Sequence, residues 1–291
     1  MIIAILGPTA VGKTALSISL AKKYNAEIIN FDSMQVYEKL DIGTAKVTKQ
    51  EMDGVTHHLL SYVKLDENYS VFDYQKKARE VLDKLLKENK NVILVGGTGL
   101  YLKATLYDYK FIENTTNKLY DDLSSSEILD RIKKYGVANL PHINNRKRLV
   151  RLLNKLENGE EISTNGNNLL YSNVYFIGLT TDRKVLYDKI NKRVDAMLDN
   201  GLVEEVESLK DYFNNSKALN TGIGYKEFIP YFENKKTKEE VKEEIKKNSR
   251  HYAKRQYTFF KHQFDIVWFN TDYNNFDNTV KEVINYLEKN N

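Results

Sequence analysis

Residues 7–14 read Gly-Pro-Thr-Ala-Val-Gly-Lys-Thr, which is the spacing of a phosphate-binding loop. In such a loop the glycines let successive backbone N–H groups point at an anion, and the following helix adds its dipole. Lys13 would reach the terminal phosphate oxygens, and the Thr14 hydroxyl would bind Mg²⁺. An apolar run, Ile2–Leu6, precedes the loop and a helical pattern follows it, as the motif requires. The motif specifies a phosphate group rather than a nucleotide.

A second polar loop begins at Asp32, in the stretch DSMQVYEKLDIGTAK. A carboxylate at the end of a strand can bind Mg²⁺ through water, act as a general base, or cap a helix together with Ser33. Catalytic groups commonly lie on loops above a rigid sheet. The position of Asp32 beside the phosphate loop therefore favours a functional role over a cap.

A third loop, residues 95–99, reads Val-Gly-Gly-Thr-Gly and contains no acidic residue. In P-loop kinases and GTPases the corresponding strand often ends in an acid that organises Mg²⁺ or the attacking water. The lack of this acid argues against hydrolysis of a nucleoside triphosphate. Thr98, flanked by glycines, can bring a hydroxyl close to a ligand, although the glycines also suffice for a tight turn.

These loops need a sheet to position them, and short apolar runs rich in β-branched residues predict its strands. The runs are Ile2–Leu6, Glu27–Phe31, Val92–Val95, Val174–Leu179 and Asp265–Phe269. Helical patterns separate them, which indicates an α/β fold with a doubly wound parallel sheet and with ligand chemistry at the carboxyl ends of the strands. Residues 112–171 are polar and helix-patterned. We therefore expect a core domain of residues 1–111 and 172–291 and a mainly helical insertion domain between them.

Composition limits the classes of protein to which the chain can belong. The chain has 291 residues, a net charge of +4 and no cysteine, so disulfides, thiolate zinc sites and a cysteine nucleophile are excluded. The short apolar start lacks a basic flank, so we expect a cytoplasmic protein without a membrane partner. The adjacent pair His57-His58 lacks metal-ligand spacing, and packing or loop hydrogen bonding is expected instead.

Two helical segments carry basic stripes. Arg148, Arg151 and Lys155 recur at spacings of three and four residues beside apolar leucines, and Arg250, Lys254, Tyr257 and Lys261 share one face of a later helix. Lysine and arginine pair with phosphates while an aromatic ring can stack on a base, so the pattern suits RNA. A solvated helix face is the alternative for either stripe.

The motifs, in this order, resemble the bacterial tRNA dimethylallyltransferase family over nearly the whole chain. The phosphate loop alone would not discriminate, but DSMQVY, GGTGLY and Tyr-Ala-Lys-Arg-Gln together are specific. The matching stretches are GPTAVGKT (7–14), DSMQVYEKLDIGTAK (32–46), HHL (57–59), GGTGLY (96–101), NNRKRLVRLL (144–153), RVDAMLDNGLVEEV (193–206), GIGYKE (222–227) and RHYAKRQYTFF (250–260).

The resemblance implies a P-loop NTPase-like fold and transfer of the dimethylallyl group of dimethylallyl diphosphate to N6 of adenosine 37, beside the tRNA anticodon. It makes Asp32 the general base, places Thr98 at the bridging oxygen of the leaving diphosphate, and sets Lys13 against the diphosphate with Mg²⁺ near Thr14. The residues that would hold the diphosphate are Gly7, Pro8, Thr9, Ala10, Val11, Gly12, Lys13 and Thr14.

The resemblance also implies an RNA surface, with the tRNA anticodon stem-loop as the expected partner. We expect the chain to be a monomer. The adenine would lie among Asp32, Ser33, Met34 and Gln35. The insertion would grip the stem-loop through Lys147, Arg148, Leu149, Val150 and Arg151, and the late helix would add Arg250, Lys254 and Arg255.

Two departures and several alternatives stand beside this interpretation. The segment Phe111–Ser126 is short and has no arginine, so an arginine that family members often carry there has no counterpart, and Phe259 replaces a frequent tryptophan. The alternatives are an adenylate dimethylallyltransferase that uses free AMP or ADP, a small-molecule P-loop kinase, and a nucleotide-gated RNA-binding module without chemistry.

Overall fold

The computed structural model describes residues 1–111, 120–137, 140–159 and 167–290. The chain packs as two compact units, Met1–Leu106 with Leu170–Asn291 and Tyr107–Leu169, where the sequence had indicated boundaries at 112 and 171. The segment Phe111–Ser126, which has no arginine, lies partly outside the described residues. Of the described helices, none combines the length and the apolar character that crossing a membrane requires.

The larger unit contains a six-stranded parallel sheet with strand order β3-β2-β4-β1-β5-β6. Its strands are β1 Ile2–Leu6, β2 Ala26–Asn30, β3 His57–His58, β4 Asn91–Val95, β5 Val174–Thr180 and β6 Val267–Asn270. The predicted parallel α/β sheet is confirmed. Strand β3 was not predicted, because its two histidines form no apolar run and pair only with Ile28 and Ile29 at the sheet edge.

The described helices of both units are α1 Lys13–Tyr24, α2 Lys49–Met52, α3 Val71–Lys87, α4 Gly99–Leu106, α5 Ser125–Lys133, α6 Arg146–Glu157, α7 Arg183–Asp199, α8 Leu202–Glu207, α9 Lys217–Thr221, α10 Ile229–Phe232, α11 Lys238–Gln263 and α12 Phe276–Asn290. Short 3₁₀ turns occupy Lys210–Tyr212 and Lys226–Phe228. Every residue of β1 is buried, because helices cover both faces of a parallel sheet.

The strand order brings three loops to one edge. Strand β4 lies between β1 and β2, so the loops that follow these three strands are neighbours at their carboxyl ends. They are the loops that contain Gly7–Thr14, Asp32 and Thr98. The predicted convergence of these loops is therefore confirmed by the topology.

A C-terminal segment braces the outer side of the phosphate loop. The Thr271 hydroxyl donates to the Val11 carbonyl at 2.9 Å, and the Tyr273 hydroxyl donates to the Ala10 carbonyl at 3.2 Å. Gly12 has a φ of +101°, and a Cβ placed there would lie 2.7 Å from the ring of Phe276. With these carbonyls held outside, the loop can turn its N–H groups toward an anion.

Replacing Gly12 by alanine is expected to lower the free energy of unfolding by about 2–3 kcal/mol, because a left-handed backbone is strained and the methyl group meets Phe276. Chemical denaturation measures this loss. Gly54→Ala is the matched control, since Gly54 has a φ of +80° but no atom within 4 Å of a Cβ there. We expect a loss of about 1 kcal/mol for it, and equal losses in the two variants would contradict the contact with Phe276.

The smaller unit contains α5 and α6. Ser124 caps α5 in a capping box with Glu127, and Asn145 caps α6. The two helices enclose a small core of Tyr120, Ile128, Ile132, Leu149 and Leu153. Leu149 is thus wholly buried, so its side chain contributes packing and offers no surface to RNA.

Candidate active site

One cavity of about 780 Å³ lies in the larger unit and gathers most of the predicted site residues. The phosphate loop, the loop after β2 and the loop after β4 line it, together with α7 and α11. Residues on its wall include Thr9–Thr14, Asp32–Gln35, Gly96, Gly97, His57, Arg193, Tyr252, Arg255 and Gln256. Gly7, Pro8 and Thr98 are not on the wall.

The side chain of Lys13 folds back onto the phosphate loop. Its Nζ donates to the carbonyls of Gly7 at 3.0 Å and Pro8 at 2.8 Å. Burial, and to a smaller extent the nearby Arg193, lower the pKa of Lys13 to about 7, and the Asp32 carboxylate partly opposes both effects. A diphosphate arriving in the loop would favour the charged ammonium, so this lysine can change protonation when the ligand binds.

Arg193 adds a second cation to the phosphate loop from α7. Its Nη1 donates to the Thr9 hydroxyl at 3.1 Å. Burial lowers the pKa of Arg193, and the Asp32 carboxylate opposes that shift. A guanidinium keeps its charge when buried and binds phosphate oxygens through a planar fork. Arg193 is therefore suited to hold a diphosphate.

Asp32 is held by an Asx turn and by its neighbour Asn30. Its Oδ1 accepts the Met34 N–H at 2.9 Å, and its own N–H donates to Asn30 Oδ1 at 3.1 Å. A Cβ on Gly97 would lie 2.7 Å from Asp32 Oδ2. Glycine at this position therefore gives the carboxylate the room to face the cavity.

Thr98 fastens the third loop to the second. Its backbone N–H donates to the Phe31 carbonyl at 3.2 Å, and its hydroxyl accepts the Ser33 N–H at 2.9 Å and donates to the Ser33 hydroxyl at 3.0 Å. These bonds keep the loops after β2 and β4 together. The contact of Thr98 with the leaving diphosphate stays a prediction.

The loop that follows Asp32 is anchored by a single carboxylate. Glu205 accepts the backbone N–H groups of residues 41–43 at 3.1, 2.7 and 3.0 Å, and it also accepts the Tyr225 hydroxyl at 2.7 Å. Within the anchored loop the Ala45 carbonyl accepts Gln35 Nε2 at 3.3 Å. The anchor thereby fixes the side chain of Gln35 on the cavity wall.

Comparison with known proteins identifies the family to which the chain belongs. A family model described as IPP transferase matches residues 35–263. The chain belongs to this family. It is 42% identical to the tRNA dimethylallyltransferase of Anoxybacillus flavithermus, over 99% of this chain and 96% of the relative. The same enzyme of Bacillus anthracis is 42% identical, over 98% and 94%. The family resemblance noted in the sequence is confirmed.

Solved structures of the IPP transferase family share the fold. The tRNA isopentenylpyrophosphate transferase of Bacillus halodurans matches with a TM-score of 0.78 and 36% identity, over 99% of this chain and 97% of that one. A eukaryotic dimethylallyltransferase, solved as snapshots of the enzyme acting on tRNA, matches with a TM-score of 0.82 and 27% identity, over 97% and 77%. The predicted P-loop-like architecture is therefore confirmed.

The magnesium expected for this family member can be tested against the donors present. The described residues contain no group of three or more histidine or acidic side chains that could hold a metal. Thr14 and Asp32 both line the cavity and supply a hydroxyl and a carboxylate. Mg²⁺ commonly binds through one or two protein oxygens together with substrate phosphates and water. The donors therefore fit a Mg²⁺ that arrives with a diphosphate.

Several cavity residues of this family member could not be singled out from the sequence. Arg193 appeared only inside a matching stretch, although it follows the buried Ile190 by one helical turn and so shares its face. Tyr252 donates to the Gly97 carbonyl at 3.1 Å, and no sequence motif indicated this contact. His57, expected to serve packing or loop hydrogen bonding, also lines the cavity and bonds to the Val55 carbonyl at 2.9 Å.

The basic stripe of α11 divides between two environments. Lys254 and Tyr257 of the stripe are exposed; the neighbouring Arg255 is exposed as well and also lines the cavity. Arg250 donates to Asn191 Oδ1 at 2.6 Å, which joins α11 to α7. The RNA contacts of Arg250, Lys254 and Arg255 stay predictions, and Arg255 is also placed to meet a ligand inside the cavity.

Proposed function

We propose that this chain transfers the dimethylallyl group of dimethylallyl diphosphate to N6 of adenosine 37 in tRNAs with adenosines at positions 36 and 37, and that it releases diphosphate. One observation carries the proposal. The phosphate loop and Asp32 line the same cavity, so an anion site and a carboxylate base face one ligand space. The relatives named tRNA dimethylallyltransferase support this assignment.

The reaction needs a leaving group, a nucleophile and a base. The bond between the allylic carbon and the diphosphate oxygen breaks, the bond between N6 and that carbon forms, and a proton leaves N6. Adenine N6 is a weak nucleophile, because its lone pair is delocalised into the ring. Catalysis is therefore mainly positioning together with stabilisation of the leaving anion.

The residues divide these tasks. The N–H groups of the phosphate loop, Lys13 and Arg193 stabilise the negative charge that develops on the diphosphate. Asp32 accepts the N6 proton. The Thr14 hydroxyl would hold Mg²⁺, which when bound would neutralise part of the diphosphate charge. The adenine enters among Asp32, Ser33, Met34 and Gln35 after leaving its stack, at a cost of a few kcal/mol.

The smaller unit supplies the proposed grip on the anticodon stem-loop. Lys147, Arg148 and Arg151 are exposed on α6, whereas Val150 is half-buried beside the core. The Arg146 guanidinium is hydrogen-bonded within the unit, since it donates to the carbonyls of Leu123 at 2.7 Å and Tyr120 at 2.6 Å. The exposed cations are therefore the ones available to phosphates.

Replacing Arg151 by alanine is expected to weaken tRNA binding and to reduce the slope of log affinity against log salt by about 1, because one phosphate contact is lost. Filter binding between about 50 and 200 mM salt measures the slope. Lys192→Ala removes the same charge from α7, where Lys192 pairs with Asp188, and is expected to leave the slope unchanged. An unchanged slope in the Arg151 variant would contradict the contact.

The experiment that tests the function combines the protein, unmodified tRNA, dimethylallyl diphosphate and Mg²⁺, followed by digestion and mass measurement of the nucleosides. We expect N6-dimethylallyladenosine in tRNAs that carry A36-A37. A parallel reaction with AMP in place of tRNA tests the adenylate alternative. Product from AMP but none from tRNA would overturn the proposal.

A further inference from the structure

One amide side chain joins two of the loops that line the cavity. Gln256 on α11 is only 5% exposed. Its Oε1 accepts the backbone N–H of Thr9, in the phosphate loop, at 2.9 Å. Its Nε2 donates to the carbonyl of Gly97, in the loop after β4, at 3.0 Å. The anion side and the carboxylate side of the cavity are thus connected through a single residue.

The two bonds fix the orientation of this amide. Rotating it by half a turn would place its NH₂ group against the Thr9 N–H and its oxygen against the Gly97 carbonyl, and both contacts would be repulsive. Tyr252, one helical turn earlier, also donates to the Gly97 carbonyl, at 3.1 Å. Both lone pairs of that carbonyl are therefore used, and the loop is held from α11 by two donors.

The Gly97 backbone lies between Gln256 and the proposed base. A Cβ on Gly97 would be 2.6 Å from Gln256 Nε2 and 2.7 Å from Asp32 Oδ2. A shift of the amide would therefore be passed through Gly97 to the carboxylate. At the other end, a shift would move Thr9, whose hydroxyl also accepts Arg193.

We propose that Gln256 is a positioning residue that sets the spacing between the diphosphate loop and Asp32. The inference rests on the proposed function, since it assigns the loop to the leaving group and Asp32 to N6. The allylic carbon must lie between the two, and a misplacement of about 1 Å can lower a rate by about a hundredfold. Gln256 acts through Thr9 and Gly97 and takes no part in bond making.

Gln256→Glu tests the bridge through its pH dependence. A protonated glutamic acid keeps one acceptor for Thr9 and one donor for Gly97, whereas the ionised form has no donor and places a charge near the diphosphate. We expect kcat to be about tenfold or more below wild type near pH 8, because the loss of one buried hydrogen bond corresponds to about a tenfold change in a rate or equilibrium. The ratio to wild type should recover as the pH falls and the carboxyl takes up its proton.

The ratio of variant to wild type cancels the pH dependence that both proteins share through the charged and titratable groups on the cavity wall. These groups are Lys13, Asp32, Glu51, His57, Arg193, Lys226, Tyr252 and Arg255. Gln263→Glu is the matched control, because Gln263 lies on the same helix but does not line the cavity. Its Oε1 accepts Lys103 Nζ at 2.6 Å. We expect its ratio to stay near one at every pH. A flat ratio for Gln256→Glu would overturn the proposal.

Gln256→Met separates positioning from stability. It keeps the volume and removes both bonds, so we expect a fall in kcat of about tenfold or more with a much smaller change in the affinity for inorganic diphosphate. A residue that served stability alone would lower the midpoint of thermal unfolding and leave kcat per folded molecule unchanged.

A readout without turnover distinguishes this proposal from the proposed function. Hydrogen exchange of the Thr9 amide is expected to be faster in Gln256→Met than in wild type, because its acceptor is removed. If wild type makes no product from tRNA, the proposed function fails by itself. An unchanged exchange rate of the Thr9 amide would overturn the bridge whatever the turnover.

Discussion

Replacing Asp32 by asparagine is expected to lower the rate of dimethylallyl transfer by about 10²- to 10⁴-fold, the usual contribution of a general base. An amide cannot take the proton that leaves N6. Asparagine Oδ1 can still accept the Met34 N–H, which Asp32 Oδ1 accepts at 2.9 Å, so the turn and the binding of tRNA should persist. Single-turnover transfer with tRNA already bound measures the chemical step.

Asp53→Asn is the control for this change. The Asp53 carboxylate is 65% exposed and pairs with Lys22, outside the cavity wall. We expect its transfer rate to match wild type. Full turnover in Asp32→Asn would remove Asp32 from the role of base, and loss of tRNA binding in that variant would show that the carboxylate instead maintains the loop.

Local sequence predicted those parts of the molecule whose signals are local. The phosphate loop is a contiguous motif, and buried parallel strands such as β1 are continuous apolar runs, so both could be found without a structure. The convergence of three loops followed from parallel strands having their carboxyl ends at one edge. Strand β3 could not be predicted, because two histidines at the edge of a sheet do not form an apolar run.

The rest of the site depends on partners that are far apart in sequence. Arg193 is hydrogen-bonded to Thr9 at a sequence separation of 184 residues, and Gln256 is hydrogen-bonded to Thr9 at a separation of 247. Spacing along the chain cannot express contacts of this length, since they arise only when α7 and α11 pack beside the sheet. Leu149 shows a different limit, because the family resemblance assigned it to the RNA contact together with its neighbours, whereas its side chain is buried in the small core.

The binding of diphosphate near pH 8 is expected to take up as much as one proton per site in wild type, and Lys13→Met should abolish this uptake. The pKa of Lys13 is lowered from 10.5 to about 7, so most of its amines are neutral at pH 8. A neutral amine has two N–H groups, which match its bonds to the Gly7 and Pro8 carbonyls. An anion in the loop favours the ammonium and draws a proton from solvent.

Calorimetry of inorganic diphosphate binding in buffers with different heats of ionisation gives the number of protons taken up. Titration of the diphosphate itself is common to all variants, so the difference from wild type isolates Lys13. Lys22→Met is the matched control, because Lys22 lies on the same helix, is exposed and pairs with Asp53. We expect wild-type uptake in that variant, and equal uptake in Lys13→Met would contradict the assignment.

The same lowered pKa determines how Lys13 affects stability. Between about pH 7 and 10.5 the unfolded chain binds a proton at this lysine that the folded chain does not, so the free energy of unfolding gains a contribution that rises with pH across that interval. Below about pH 7 both states are protonated, and the full unfavourable effect of burying the charge is present. Lys13→Met should remove this rise, whereas Lys22→Met should retain it. A steep dependence that survives in Lys13→Met would place the titrating group elsewhere.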